Sequence, residues 1–210
     1  MNEENKNILV VAPHADDEVL GLGGTIAKYR KKNYNINLII CSKREQDLDT
    51  YNDAYGNYNA VKKLPFKDEF LYLAKKDLLS FIEEIYNNEK PDIIFIPNKD
   101  DFNMDHKTVY EVCEIAFRRF QDHQPKEILM YEIPSSTTQS FNNNFKCNYY
   151  EALTADELQN KIDTFNVYTN EKRDIPNPRN SNGILTYAMF RGMECNHMYA
   201  EGFNLIYKKN

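Results

Sequence analysis

Four short apolar runs constrain this chain more than any other feature. They are "NILVVA" (Asn7–Ala12), "NINLIIC" (Asn35–Cys41), "PDIIFIP" (Pro91–Pro97) and "EILMYEI" (Glu127–Ile133). A strand with one wet face alternates polar and apolar residues, whereas a nearly continuous apolar run needs cover on both faces. The intervening segments read as the covering helices. One runs from Glu18 to about Lys32 despite its glycines. Another, "KKDLLSFIEEIYNN", puts Leu78, Leu79, Ile82, Ile85 and Tyr86 on one stripe. A third carries Val109, Val112, Ala116, Phe117 and Phe120 on one face. Strand–helix alternation over the first two thirds predicts an α/β fold, a Rossmann-like three-layer sandwich with a mostly parallel sheet. Short strands are expected at "DEFLYL" and "CNYYEAL", and a terminal strand at "AEGFNLIY". "TADELQNKIDTF" opens a helix with a capping box, Thr154 and Glu157, and "ILTYAMFRGMEC" also reads as helical. With no internal repeat or low-complexity linker, residues 1–210 are expected to form a single domain.

Composition narrows the function. The net charge of -6 leaves no global basic field for gripping nucleic acid. Mean hydropathy is -0.70 and no long uncharged apolar run exists, so no membrane span is expected. The polar start "MNEENKN" does not read as a secretory signal, and a cytoplasmic protein is expected. Cys41, Cys113, Cys147 and Cys195 are scattered, as free thiols in a reducing compartment would be.

In open parallel sheets, sites lie beyond the carboxyl ends of the strands. Two polar clusters fall there. "PHADDE" follows the first run and supplies His14, Asp16, Asp17 and Glu18. "NKDDFNMDH" follows "PDIIFIP" and supplies Asp100, Asp101, Asp105 and His106. Two imidazoles and one carboxylate around an open position suit a hydrolytic zinc, which acidifies a bound water and polarises a carbonyl. A second carboxylate must then take the water's proton. Adjacent Asp16 and Asp17 can divide those roles on a tight turn. The same acids could instead serve helix N-termini: Asp16, Asp17 and Glu18 through the helix dipole, and Asp105 as an N-cap. The pairing of two His–Asp loops at strand ends favours the metal.

"PHADDEVLGLGGTIAK" resembles the first motif of the PIG-L/LmbE zinc-dependent N-deacetylases, and "PNKDDFNMDHKTVYE" resembles their second. "EILMYEIPSST" and "FRGMECNHMYAEGF" extend the likeness over nearly the whole chain, the latter as in one bacterial branch acting on N-acetyl amino sugars. The resemblance implies His14, Asp17 and His106 as metal ligands, for Zn2+, with Fe2+ or another divalent metal as alternatives. It implies Asp16 as the base acting on a water at that zinc. It places Glu18, Asp101 and Asp105 behind the ligands, and Arg179 and Arg191 against substrate or as braces. It also implies a small-molecule partner, an N-acetylated sugar or its conjugate, and allows a homo-oligomer. Two positions depart from the pattern. Asn103 and Asn177 stand where relatives often carry histidine; Asn103 can donate a hydrogen bond to an oxyanion but cannot deliver a proton.

Arg44 follows the second strand at the same sheet edge and could meet an anionic substrate group, or simply be solvated. His123, in "QDHQPK", reads as a solvated turn residue. The expected function is a metal-dependent hydrolase that removes the N-acetyl group from an N-acetylglucosamine-type amino sugar or conjugate. A catalytically weak sugar- or metal-binding homologue is the alternative raised by Asn103 and Asn177. A metal-dependent phosphoesterase is a further one, since clustered carboxylates also suit two-metal sites.

Overall fold

The computed structural model describes residues 5–43, 52–141 and 144–209. Its strands are β1 (Asn7–Ala12), β2 (Asn35–Lys43), β3 (Ala60–Lys67), β4 (Ile93–Pro97), β5 (Glu127–Tyr131), β6 (Tyr149–Leu153) and β7 (Tyr199–Lys208). Its α-helices are α1 (Asp17–Lys31), α2 (Lys75–Glu89), α3 (Met104–Ala116), α4 (Ala155–Val167) and α5 (Ser181–Glu194). The strands form one sheet in the order β3-β2-β1-β4-β5-β7-β6. The first five run parallel, and β7 is antiparallel to both β5 and β6.

The continuous apolar runs have their physical reason in two cores. Ile8 and Val10 of β1 pack with Val19, Leu22 and Ile26 of α1 and with Leu158 and Phe165 of α4. Leu9 and Val11, pointing the other way, pack with Leu78 and Ile82 of α2 and with Val109 and Val112 of α3. Successive side chains of one strand thus feed opposite layers. The three-layer α/β sandwich is the observed architecture.

Strand order reverses at β1, which pairs with β2 on one side and β4 on the other. The chain leaves the carboxyl ends of β1 and β4 in opposite directions and opens a crevice there. The two acidic–histidine loops leave from these ends.

Four local expectations are corrected. "DEFLYL" is not a strand: Leu71–Ala74 is a short 3-10 helix, and the strand lies upstream at Ala60–Lys67. That strand carries three lysines and Pro65, which an outermost strand tolerates and a central one does not. Phe120 lies beyond α3 and is fully exposed. His123 is half-buried, its Nε2 2.8 Å from the Pro91 carbonyl oxygen. Finally, α1 is two helical segments: Leu22 leaves helical geometry (φ -147°, ψ 20°).

The break in α1 is filled by a buried ion pair. Glu201 of β7 accepts the backbone N–H groups of Gly24 (3.0 Å) and Thr25 (2.6 Å). Lys161 of α4 donates to the Leu20 carbonyl (2.9 Å) and to Glu201 (2.6 Å). The carboxylate thereby caps the second segment and the ammonium caps the first. At Gly21 a Cβ would collide with the Tyr131 ring, so the missing side chain lets α1 approach the sheet.

Candidate metal centre

The first loop is shaped by backbone strain at one residue. Asp16 has φ 100° and ψ -25°, a left-handed conformation that a non-glycine residue adopts at a cost of about 1–3 kcal/mol. Its N–H donates to Glu18 Oε2 (2.9 Å), and Tyr168 Oη donates to Glu18 Oε1 (2.6 Å). The strain turns the side chains of Asp16 and Asp17 apart. Asp16 pairs with the Arg179 guanidinium, whereas Asp17 faces both histidines. Asp16 is the N-cap residue of α1 with no side-chain capping bond, and Asp17 and Glu18 lie in the first turn, where the helix dipole favours them. The N-cap reading fails at Asp105, because the N-cap of α3 is Asn103, whose Oδ1 accepts from Asp105 N (2.8 Å).

The second loop and α3 bring His106 to the first. His14 Nδ1, Asp17 Oδ2 and His106 Nε2 form a nearly equilateral triangle with edges of 3.1, 3.1 and 3.2 Å. Donors about 2.0–2.1 Å from a tetrahedral ion stand roughly 3.3–3.4 Å apart. The triangle fits a divalent metal on spacing and on donor type. Each imidazole also turns its other nitrogen to a carboxylate. His14 Nε2 lies 3.2 Å from Asp105 and 2.8 Å from Asp68, and His106 Nδ1 lies 3.2 Å from Asp101. Such carboxylate partners fix ring orientation and ligand basicity. The group His14–Asp68–Asp105 shares His14 with the triangle and reads as its support rather than as another ion site.

The supporting carboxylates are themselves held. Asp105 accepts from Glu69 N (2.7 Å) and Leu71 N (3.1 Å), which seats the turn after β3 so that Asp68 reaches His14. Asp101 accepts from Ser136 Oγ (2.8 Å), Thr137 Oγ1 (2.7 Å) and Asn103 N (2.8 Å). Arg179 is bonded to Glu171 (2.8 Å) and to Ser135 Oγ (3.3 Å).

Electrostatics follow this arrangement. Burial lifts the Asp16 carboxyl, Arg179 opposes the lift, and Asp17, Glu171 and Glu18 add to it, so Asp16 sits well above the usual carboxylate range. Burial raises Glu18 to about 7 despite the Tyr168 hydrogen bond. Burial works against charge on His106, yet Asp17 and Asp101 hold it at about 9. Asp17 is held low, the two histidines outweighing burial. One polar atom stands out: Asp16 Oδ1 is buried with no hydrogen-bond partner among the described residues.

The residues expected at the site are therefore together, except two. Arg44 lies outside the described residues. Arg191 is paired with Glu132 and Glu194, beside the site rather than in it. Asp68, Ser136, Thr137, Tyr168 and Glu171 were not anticipated. Asp68 was within reach of sequence reasoning, as the acid just past the end of a strand, had Ala60–Lys67 been read as one. The hydroxyls and Glu171 carry no local signal.

Comparison with known proteins points the same way. Residues 9–60 match the family model described as PIG-L, GlcNAc-PI de-N-acetylase. The chain is 28% identical over 147 residues to the uncharacterized deacetylase YaiS of Escherichia coli, covering 63% of this chain and 77% of that protein. Among solved structures it resembles the N,N'-diacetylchitobiose deacetylase of Pyrococcus horikoshii, with TM-score 0.73 and 20% identity over 97% of this chain and 84% of that one. It equally resembles the 4-carboxy-2-hydroxymuconate hydratase of Pseudomonas putida, with TM-score 0.76 and 17% identity over 98% of each chain. At such identities the likeness to these structures establishes the fold, and the reaction must be argued from the site. The first motif thus lies inside the segment that matches the PIG-L de-N-acetylase model, and the fold is shared with a deacetylase along nearly the whole length.

Proposed function

We propose that this protein hydrolyses the N-acetyl group of an amino sugar or amino-sugar conjugate, with a divalent metal held by His14, Asp17 and His106. The observation that carries the reading is the donor triangle beside a buried carboxylate oxygen, Asp16 Oδ1, that has no partner among the described residues. A divalent metal held by that set would polarise an amide carbonyl and acidify water, and zinc is the reading favoured by two imidazoles with one carboxylate. Asp16 takes the proton of the attacking water on Oδ1, while Arg179 holds Oδ2 and keeps the carboxyl aimed. Water oxygen bonds to the acetyl carbon, the C–N bond breaks, and the proton held by Asp16 passes to the departing amine, leaving acetate and a free amine. Asp16 serves as both base and acid here because Asn103 cannot deliver a proton. With its Oδ1 committed to the α3 cap, Asn103 offers only its amide N–H2 to a developing oxyanion.

The expected acceptor is an N-acetylglucosamine-type sugar, in line with the family description and with the chitobiose deacetylase that shares the fold. The test is acetate release from a panel of N-acetyl sugars by wild type and Asp16→Asn, with metal content measured in both. Release by the wild type alone, with equal metal in the two proteins, supports the reading. A metal-loaded wild type that binds these sugars without releasing acetate overturns it in favour of a binding protein.

A further inference from the structure

Past the carboxyl end of β5, where Glu132 follows Tyr131, lies a pocket of about 520 Å3. Its walls include Glu132, Thr138, Phe145, Tyr187, Phe190 and Arg191. The volume lies in the range of small-molecule sites, roughly 300–1,000 Å3. One stretch of chain walls both this pocket and the metal centre. Ser135 Oγ accepts from Arg179, the partner of Asp16; Ser136 and Thr137 donate to Asp101, the partner of His106; Thr138 then faces the pocket. A ligand reaching past this stretch would span from the reacting amide into the pocket.

The chemistry of the walls selects what fits. The Arg191 guanidinium lies between two rings, 5.6 Å from the Phe145 centroid and 5.1 Å from that of Phe190. Its Nε is taken by Glu132 (2.7 Å) and its Nη1 by Glu194 (2.7 Å). Two of its three nitrogens are thus committed and the guanidinium already stacks on both rings, so Arg191 braces the aromatic wall rather than offering a free set of donors. Tyr187 and Phe190 sit one turn apart on α5, and the outward side of that helix continues as exposed Met189 and Met193. The pocket offers faces for stacking rather than a ring of free donors and acceptors, which suits a planar apolar group better than a hydroxyl-rich one.

We infer that this pocket receives a flat apolar aglycone, so that the substrate is an amino sugar bearing an aryl-type group rather than a free sugar. The inference rests on the deacetylase reading for its first assay but has a second readout independent of it. Acetate release is compared for phenyl N-acetyl-β-glucosaminide, free N-acetylglucosamine and N,N'-diacetylchitobiose. The phenyl glycoside is expected to exceed the free sugar by roughly ten-fold in kcat/KM, mainly through KM. Phe190→Ala is expected to remove most of that advantage and leave the free sugar unchanged. Phe190 is about half exposed, so its truncation opens no core; Tyr187→Ala is the second variant should the first not fold. Equal rates on phenyl glycoside and free sugar, equal losses on both in Phe190→Ala, or a preference for the disaccharide over the phenyl glycoside each overturn the inference. Should no sugar release acetate, the deacetylase reading falls separately, and saturation-transfer NMR with phenyl β-glucoside then decides. Contact at the phenyl protons that disappears in Phe190→Ala supports the pocket; no contact in the wild type overturns it.

Discussion

Replacing Lys161 by Met tests whether the break in α1 is held by charge. The Nζ of Lys161 donates to Glu201 Oε1 (2.6 Å) and to the Leu20 carbonyl (2.9 Å), and both side chains are less than a tenth exposed. Met has nearly the same length and no charge. The substitution leaves Glu201 buried with two backbone N–H donors, Gly24 and Thr25, and no counter-charge. Breaking a buried pair from one side costs about 3–5 kcal/mol. At about 2–4 °C per kcal/mol for a chain of this size, Tm falls by roughly 6–20 °C. Adding Glu201→Gln removes the stranded charge while its amide oxygen still accepts one backbone N–H, so the double variant recovers part of the loss. Urea unfolding of wild type, both single variants and the double variant closes the cycle. A Lys161→Met loss under about 1 kcal/mol, or a double variant worse than the sum of the singles, would refute the claim that charge pairing holds the two segments of α1.

The remaining predictions concern the metal centre. Asp101→Asn weakens the support of His106 and lowers metal affinity by roughly 10–100-fold, measured by competition with a chelating dye, with little change in Asp16 chemistry once metal is saturating. Asp16→Asn lowers the rate of acetate release by roughly 10²–10⁴-fold with metal content unchanged. His106 is held at about 9 in the metal-free chain, so at neutral pH it must give up a proton to bind metal. Metal affinity therefore rises with pH from 6 toward 9, and calorimetry in buffers of different ionisation enthalpy reports proton release; a flat affinity over that range contradicts the assignment of His106 as ligand. Gly21→Ala drives a Cβ into the buried Tyr131 ring, which is hydrogen-bonded to the Val11 carbonyl (2.9 Å), and lowers stability by about 1–3 kcal/mol in urea unfolding.

The parallel half of the fold was legible because burial on both faces leaves a one-dimensional mark. β1, β2, β4 and β5 are mostly apolar and buried, and their expected ends lie within two residues of the observed ones. β3 escaped notice for the opposite reason. As the outermost strand it has a free edge and wet positions, and the lysines and proline of "AVKKLPFK" keep other strands from pairing there rather than filling a core. The break in α1 was also invisible from the local sequence. Glycines at 21, 23 and 24 hinted at close packing, but the groups that satisfy the freed backbone come from residues 161 and 201.

The same division explains the site. Its charge-bearing half is local: His14, Asp16, Asp17 and Glu18 fall within five positions, and Asp101, Asp105 and His106 within six. Carboxylates packed this closely and buried must each find a compensating partner, and so many cannot be compensated by one another. The partners therefore had to come from elsewhere in the chain: Arg179 for Asp16, Tyr168 for Glu18, the Ser136 and Thr137 hydroxyls for Asp101, and the Glu69 and Leu71 amides for Asp105. Such partners are neutral or single residues in unremarkable surroundings, and only the fold brings them in. The donor triangle could thus be read from two motifs. The frame that holds its geometry is distributed over four distant segments, and for that reason conservative changes at Thr137 or Tyr168 are expected to disturb metal binding as surely as changes nearer the ion.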